Sequence, residues 1–205
     1  MLFRSEASDE ESTDFDSHAD CPRCGPSVKL DWKNTPRVLE HMGAHILYDT
    51  TLNSAEERCG FCLRPAPMCQ IYVMKGHGTG GKSTVNRSKS KCPNLVRFNY
   101  KNAAQSSERS PCSNVPVNCT LCPENSPAVW TYSLQSHYRE HHRQESVADF
   151  PTHQELSRSE KDGMERVWAT RFNQRGSYQT KKRRRLGNNP PLSISEAHRS
   201  RFLVA

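Results

Sequence analysis

The stretch CPRCGPSVKLDWKNTPRVLEHMGAHILYD, residues 21–49, decides the fold. Cys21 and Cys24 stand two residues apart, so one tight knuckle can aim both sulfurs at a single ion. His41 and His45 are four residues apart, which places them one turn apart on one face of a helix. The helix has its own signals: Thr35 suits the N-cap, Pro36 suits the first helical position, and Val38, Leu39, Met42 and Ile46 give an apolar face. Two thiols and two imidazoles make up the tetrahedral donor set that Zn²⁺ accepts.

Working outward, a second stretch repeats the pattern. Cys119-x2-Cys122 is followed, fourteen residues later, by His137-x3-His141, and His142 could replace His141 because spacings of three to five are tolerated. Leu134 stands three residues before His137, as Val38 does before His41. Ser133 or Thr131 could cap this helix, and Trp130 and Tyr138 supply bulk. Between the two lies a third knuckle, Cys59-Gly60-Phe61-Cys62, whose partners come from Cys69, His77, Cys92 and Cys112. Cys69 alternates in phase with Ile71 and Val73 along the strand-like MCQIYV, so its side chain is expected in the core. His77 lies in a glycine loop. The expected central set is therefore Cys59, Cys62, Cys92 and Cys112, with Cys69 in place of one member as the alternative. Three Zn²⁺ ions per chain follow.

Trp32, Val38 and His41 keep the aromatic-x5-apolar-x2-His spacing with which a small ββα finger builds its core. Both outer units resemble C₂H₂ zinc fingers, yet sixteen and fourteen residues replace the usual twelve or so between the second Cys and first His. The surplus falls before the helix and enlarges the hairpin. Finger geometry puts Asn34, Arg37 and Glu40 at the base-reading positions of the first helix. The second helix offers Trp130, Ser133 and Ser136, a poor set for bidentate base contacts. The long gap between His45 and Cys119 excludes a serial array that tracks one groove. More widely, LEHMGAHILYD (39–49), CGFCLRPAPMCQIY (59–72), KCPNLVRFNY (91–100), SPCSNVPVNCTLCPENSPAVWTY (110–132) and LSISEAHRSR (192–201) resemble a group of C₂H₂-like zinc-finger proteins recurrent in mushroom-forming basidiomycete fungi. That resemblance implies one zinc-holding unit with a basic tail and no particular activity.

Composition explains why metal is needed. Leu, Ile, Val and Phe supply 34 of 205 residues, below the roughly 20% that marks ordinary globular chains. So little apolar surface does not offset chain entropy over the whole length. Nine Cys, an odd number, beside nine His point to zinc rather than disulfides. MLFRSEASDEESTDFDSHAD, residues 1–20, lacks the apolar run of a signal peptide, and no stretch is apolar enough to span a membrane. GHGTGGKS (76–83) satisfies the P-loop pattern, but no apolar helix follows it to receive a phosphate. The spacing of His77 and Cys92 does not build a RING cross-brace, and no Ser–His–Asp or Cys–His nucleophile is legible, so no enzyme is expected.

The net charge of +7 is uneven, acidic in residues 1–20 and basic in 155–205. Lys181, Lys182, Arg183, Arg184 and Arg185 form a block suited to an import receptor or to phosphates. The sequence thus predicts a small zinc-stapled α+β protein: an acidic disordered tail (1–20), a ββα-like finger (21–50), a Cys-rich ribbon-like unit (51–113), a second ββα-like finger (114–150), and a short helix with a basic disordered tail (151–205). The expected role is a nuclear, zinc-dependent protein that binds DNA through Arg37 and the basic run, as a regulator of transcription would. Its rival is a zinc-supported protein-interaction module without DNA binding.

Overall fold

The chain's low apolar content is spent on short elements joined by long irregular segments. A computed structural model describes residues 18–74, 83–143 and 155–173. The acidic stretch up to residue 17, most of the glycine loop with His77, the basic run at 181–185 and Pro190-Pro191 lie outside the described residues. Residues up to Arg171 form one unit; Phe172–Ala205 form a second, of which only Phe172 and Asn173 are described.

The architecture is small α+β, and the described residues form three separate two-stranded antiparallel sheets. Strands β1 (His18–Cys21) and β2 (Gly25–Asp31) pair with a bulge at Asp20/Cys21, and Gly25 turns the chain at φ +59°. Helix α1 (Thr35–Tyr48) follows. Its N-cap is Asn34 rather than Thr35; the Thr35 hydroxyl instead faces the carbonyls of Trp32 and Arg97, each 3.4 Å away. β3 (Val73–Met74) pairs with β4 (Thr84–Val85), and the one-turn α2 (Tyr100–Ala103) is capped by the Asn99 side chain. β5 (Pro116–Val117) and β6 (Val129–Trp130) flank the second Cys knuckle. After one 3₁₀ turn comes α3 (Leu134–His141). The last element among the described residues, α4 (Arg158–Ala169), begins where the Ser157 hydroxyl accepts the Glu160 N–H, 3.1 Å away.

These pieces share their interior. One buried cluster takes Val28, Leu30 and Trp32 from the first hairpin, Val38, Leu39 and Met42 from α1, Phe61, Leu63 and Ile71 from the middle segment, Trp130 from β6 and Met164 from α4. A second, smaller cluster holds Cys119, Val129, Leu134 and Tyr138. The middle Cys-rich segment and the first hairpin–helix unit are therefore not independent cores. α4 packs along α1, with Trp168 edge-on to His45 at 5.2 Å and the Tyr48 hydroxyl donating to the Lys161 carbonyl. Gly43 permits this approach: a Cβ there would meet Tyr132, the Cys112 sulfur and Met164 at 3.0–3.3 Å.

Two carboxylates are drawn inside and are satisfied there, as buried charge requires. Glu160 accepts from the Tyr132 hydroxyl, the Ser113 hydroxyl and the Ser113 N–H at 2.6, 2.6 and 3.0 Å. Glu40 accepts from Arg37 at 2.7 Å and from the Ser110 hydroxyl at 2.9 Å.

The Trp130 ring lies directly on Gly60, where an added Cβ would sit 2.4 Å from ring carbon. Phe61 braces the same ring edge-on at 5.2 Å. Gly60→Ala is expected to destabilise the zinc-loaded chain by about 1–3 kcal/mol, the usual cost of overpacking. Urea denaturation followed by tryptophan fluorescence measures it.

Candidate metal centres

At the first centre, β1 delivers Cys21, the turn to β2 delivers Cys24, and successive turns of α1 deliver His41 and His45. Their donor atoms lie within 4.8 Å of one another. The Cys24 sulfur is 3.2 Å from His45 Nε2 and 3.7 Å from His41 Nε2, and the Cys21 sulfur is 3.5 Å from His45 Nε2. All but Cys24 are buried.

The second centre is Cys59, Cys62, Cys69 and Cys92, with sulfur pairs 3.5, 3.8 and 3.9 Å apart. This corrects the expected set: Cys69 belongs and Cys112 does not. The Cys69 side chain does point inward, but inward at that position is the sulfur cluster rather than apolar packing. The 3₁₀ turn Ala66–Met68 brings Cys69 back toward the knuckle, while the Gln70–Lys91 bridge sets Cys92 beside it. Cys112 is fully buried elsewhere, its thiol donating to the Leu39 carbonyl at 3.4 Å. Burial pushes that thiol up to about 12, beside the carboxylates of Glu40 and Glu160.

The third centre is Cys119, Cys122, His137 and His142. His142 Nε2 stands 3.4 Å from both sulfurs and 3.3 Å from His137 Nε2, which is itself 3.3 Å from Cys122. This corrects the expectation of His141. α3 ends at His141, and His142 leaves helical geometry (φ −128°, ψ 39°), which swings its ring back over the knuckle. His141 instead sits half out of the fold, with Nε2 3.0 Å from Glu57.

The spacing is informative. Vertices about 2.3 Å from a centre give a tetrahedron with edges of about 3.8 Å, and vertices at about 2.0 Å give about 3.3 Å. The separations above, 3.2 to 3.9 Å, span that range, with the sulfur–sulfur pairs longer on average than those that include nitrogen. Each set could therefore hold one metal ion, and the donor chemistry fits zinc. Proton sharing inside the sets points the same way. Burial opposes the Cys21 thiolate, yet hydrogen bonds from His41, His45 and two backbone N–H groups bring its pKa to about 5, while Cys24 is pushed up to about 12 by burial and the Cys21 charge. Cys122 is likewise pushed up to about 11 by burial and Cys119. In the all-sulfur set Cys62 is driven far down by hydrogen bonds from Cys59, Cys69 and Cys92, and Cys92 is lowered as well, while Cys59 and Cys69 are raised and hold the protons. A central divalent cation would do for all four donors what those protons do for two.

Two carboxylates that the sequence reading missed orient the imidazoles. Asp49 Oδ2 lies 2.9 Å from His45 Nδ1 and faces Arg23, while Asp49 Oδ1 accepts from the Thr51 N–H and hydroxyl. Glu57 Oε1 lies 2.8 Å from His137 Nδ1. Each leaves Nε2 free to face the sulfurs, the usual carboxylate–histidine–metal arrangement. Asp49 was legible as the residue four beyond His45. Glu57 comes from a loop 80 residues away and had no sequence signal.

The expected base-reading positions behave differently. Glu40 is buried and holds the guanidinium of Arg37, although Arg37 itself is exposed. Trp130 and Ser133 are buried, and Ser136 is buried with its hydroxyl donating to the Ser54 carbonyl at 2.6 Å. α1 is covered by α4, and α3 turns these side chains inward, because both helices build core. Comparison with family models, curated proteins and solved structures gave no match.

Single substitutions separate the sets. Cys69→Ser and His142→Ala should each lose one zinc in native mass spectrometry, while Cys112→Ser and His141→Ala should keep three. Glu57→Gln should keep the ion but weaken its affinity by about 10–100-fold, measured by competition with a chromogenic chelator.

Proposed function

We propose that this chain is a non-catalytic zinc protein, that three structural zinc ions hold its fold, and that it binds nucleic acid in the nucleus as a regulator of transcription. The observation that carries the reading is the three sets of four protein donors at tetrahedral spacing. Cys21, Cys24, His41 and His45 would hold one ion, Cys59, Cys62, Cys69 and Cys92 the second, and Cys119, Cys122, His137 and His142 the third. Four protein ligands leave no open position for substrate, the mark of a structural rather than a catalytic site. In such sites metal-binding free energy is folding free energy.

The net charge of +7 and the block Lys181–Arg185 support an anionic partner and an import receptor. Because Glu40, Trp130, Ser133 and Ser136 are buried, contact with nucleic acid would run through exposed cations on phosphates rather than through a helix in the major groove. The same burial favours the second reading, a zinc-supported surface for a protein partner.

Chelation should abolish the near-ultraviolet dichroism of the core tryptophans, and zinc should restore it. Nucleic-acid binding should be lost in parallel and should weaken steeply with salt, as counterion release demands. Replacing Lys181–Arg185 by alanine should move a tagged chain from nucleus to cytoplasm with three zincs retained. Binding that ignores salt, or a tagged chain that never enters the nucleus, would shift the reading to the protein-interaction module.

A further inference from the structure

We infer that two neighbouring clefts, both lined by Arg97-Phe98-Asn99, form a binding site for single-stranded nucleic acid; this deepens the nucleic-acid reading and rests on it. One cleft, of about 630 Å³, runs from the start of α1 to the loop after α2. The other, of about 390 Å³, lies between β4 and α2. Arg97, Phe98 and Asn99 line both.

Charge complementarity selects the partner. Lys33, Arg87, Arg97 and Lys101 line the clefts, and no Asp or Glu does. All four cations are exposed, and among the described residues none of their side chains forms an ion pair. Glu40, behind Ser110, is buried and already paired with Arg37, and the Asp31 carboxylate accepts the Lys33 backbone N–H at 3.0 Å. A row of unneutralised cations in a concave surface attracts a phosphate backbone.

The aromatic lining selects a single strand. Phe98 and Tyr100 are half-buried with rings stacked at 6.2 Å and 27°. Phe61 fixes Phe98 edge-on at 5.6 Å, and the Tyr100 hydroxyl donates to the Pro116 carbonyl at 2.7 Å, so both rings are held before any ligand arrives. Asn102 and Gln105 add amide groups that can meet base edges. Clefts of a few hundred Å³ admit a nucleotide or two, whereas a duplex is convex and keeps its base faces stacked. Cations beside fixed aromatic faces are what an unstacked strand uses. An acidic peptide would match the charge but not the rings.

The test compares the zinc-loaded full chain on fluorescein-labelled oligo-dT and on a duplex of equal length, by anisotropy across a salt series. Oligo-dT should bind more tightly. Arg97→Glu/Lys101→Glu should weaken it at least about tenfold and flatten the slope of log K against log salt by about 1.4, two contacts at about 0.7 each. Neither side chain holds the fold, so the variant should keep three zincs and its melting temperature. Irradiation of a bromodeoxyuridine oligomer on the wild-type chain should attach to the tryptic peptide Phe98–Lys101. If the double variant binds as wild type while the Lys181–Arg185 alanine variant does not, the cleft site is overturned and nucleic-acid binding stands. Preference for the duplex, or full displacement of oligo-dT by polyglutamate, also overturns the single-strand assignment. No binding of either nucleic acid overturns both readings.

Discussion

Twelve thiol and imidazole donors gather into three groups, each with its donor atoms within 4.8 Å, in a chain too poor in apolar residues to fold on packing alone. Such a group has a large desolvation cost as charged sulfur and is mutually repulsive as thiolate. A cation at the centre removes both penalties at once. The rest of the structure can be understood as what is needed to hold these donors at that spacing. Cys knuckles fix two of them locally, helices or returning loops bring the other two, and Asp49 and Glu57 turn the imidazoles to the correct nitrogen.

The centres are mechanically linked. Gly60 lies inside the all-cysteine knuckle and directly beneath Trp130, which ends the strand leading into α3. Glu57, two residues before Cys59, orients His137 of the third centre. His45 of the first centre lies against Trp168 of α4. Loss of one ion would thus loosen the packing that shapes the next, so the three sites should act as one cooperative fold rather than as beads on a string. The buried carboxylates Glu40 and Glu160 tie α1, the Ser110–Ser113 segment, Tyr132 and α4 into the same block.

That linkage changes what the helices can do. A finger that reads DNA leaves its helix free on one side. Here nine residues of α1 are buried, and α3 spends Ser136 on a hydrogen bond to the Ser54 carbonyl. Of the positions that would have read bases, Glu40, Trp130, Ser133 and Ser136 are consumed by packing, and Asn34 and Arg37 stay exposed. Exposed cations without an ion pair lie instead around the clefts: Arg97 on an irregular segment, Lys101 on α2, and Lys33 and Arg87 on flanking segments.

What the sequence determined by itself is everything set by short spacing. Cys-x2-Cys gives a knuckle, His41 and His45 share a helix face, Pro36 opens α1, and SRSEKDGMERVWA encodes α4, because each depends on neighbours within a turn or two. The inward direction of Cys69 was legible from its phase with Ile71. What lay inward was not, since that depends on where residues 92 and 112 return after long loops without periodicity. The choice of His142 over His141 turned on a single residue leaving helical φ and ψ as α3 ends. Glu57 was invisible because its partner lies 80 residues away. The burial of Glu40, at a position that finger spacing assigns to solvent, came from α4 and the Ser110 loop closing over α1. Local geometry is written in adjacent residues; which distant donors and carboxylates meet is decided only when the chain closes on itself.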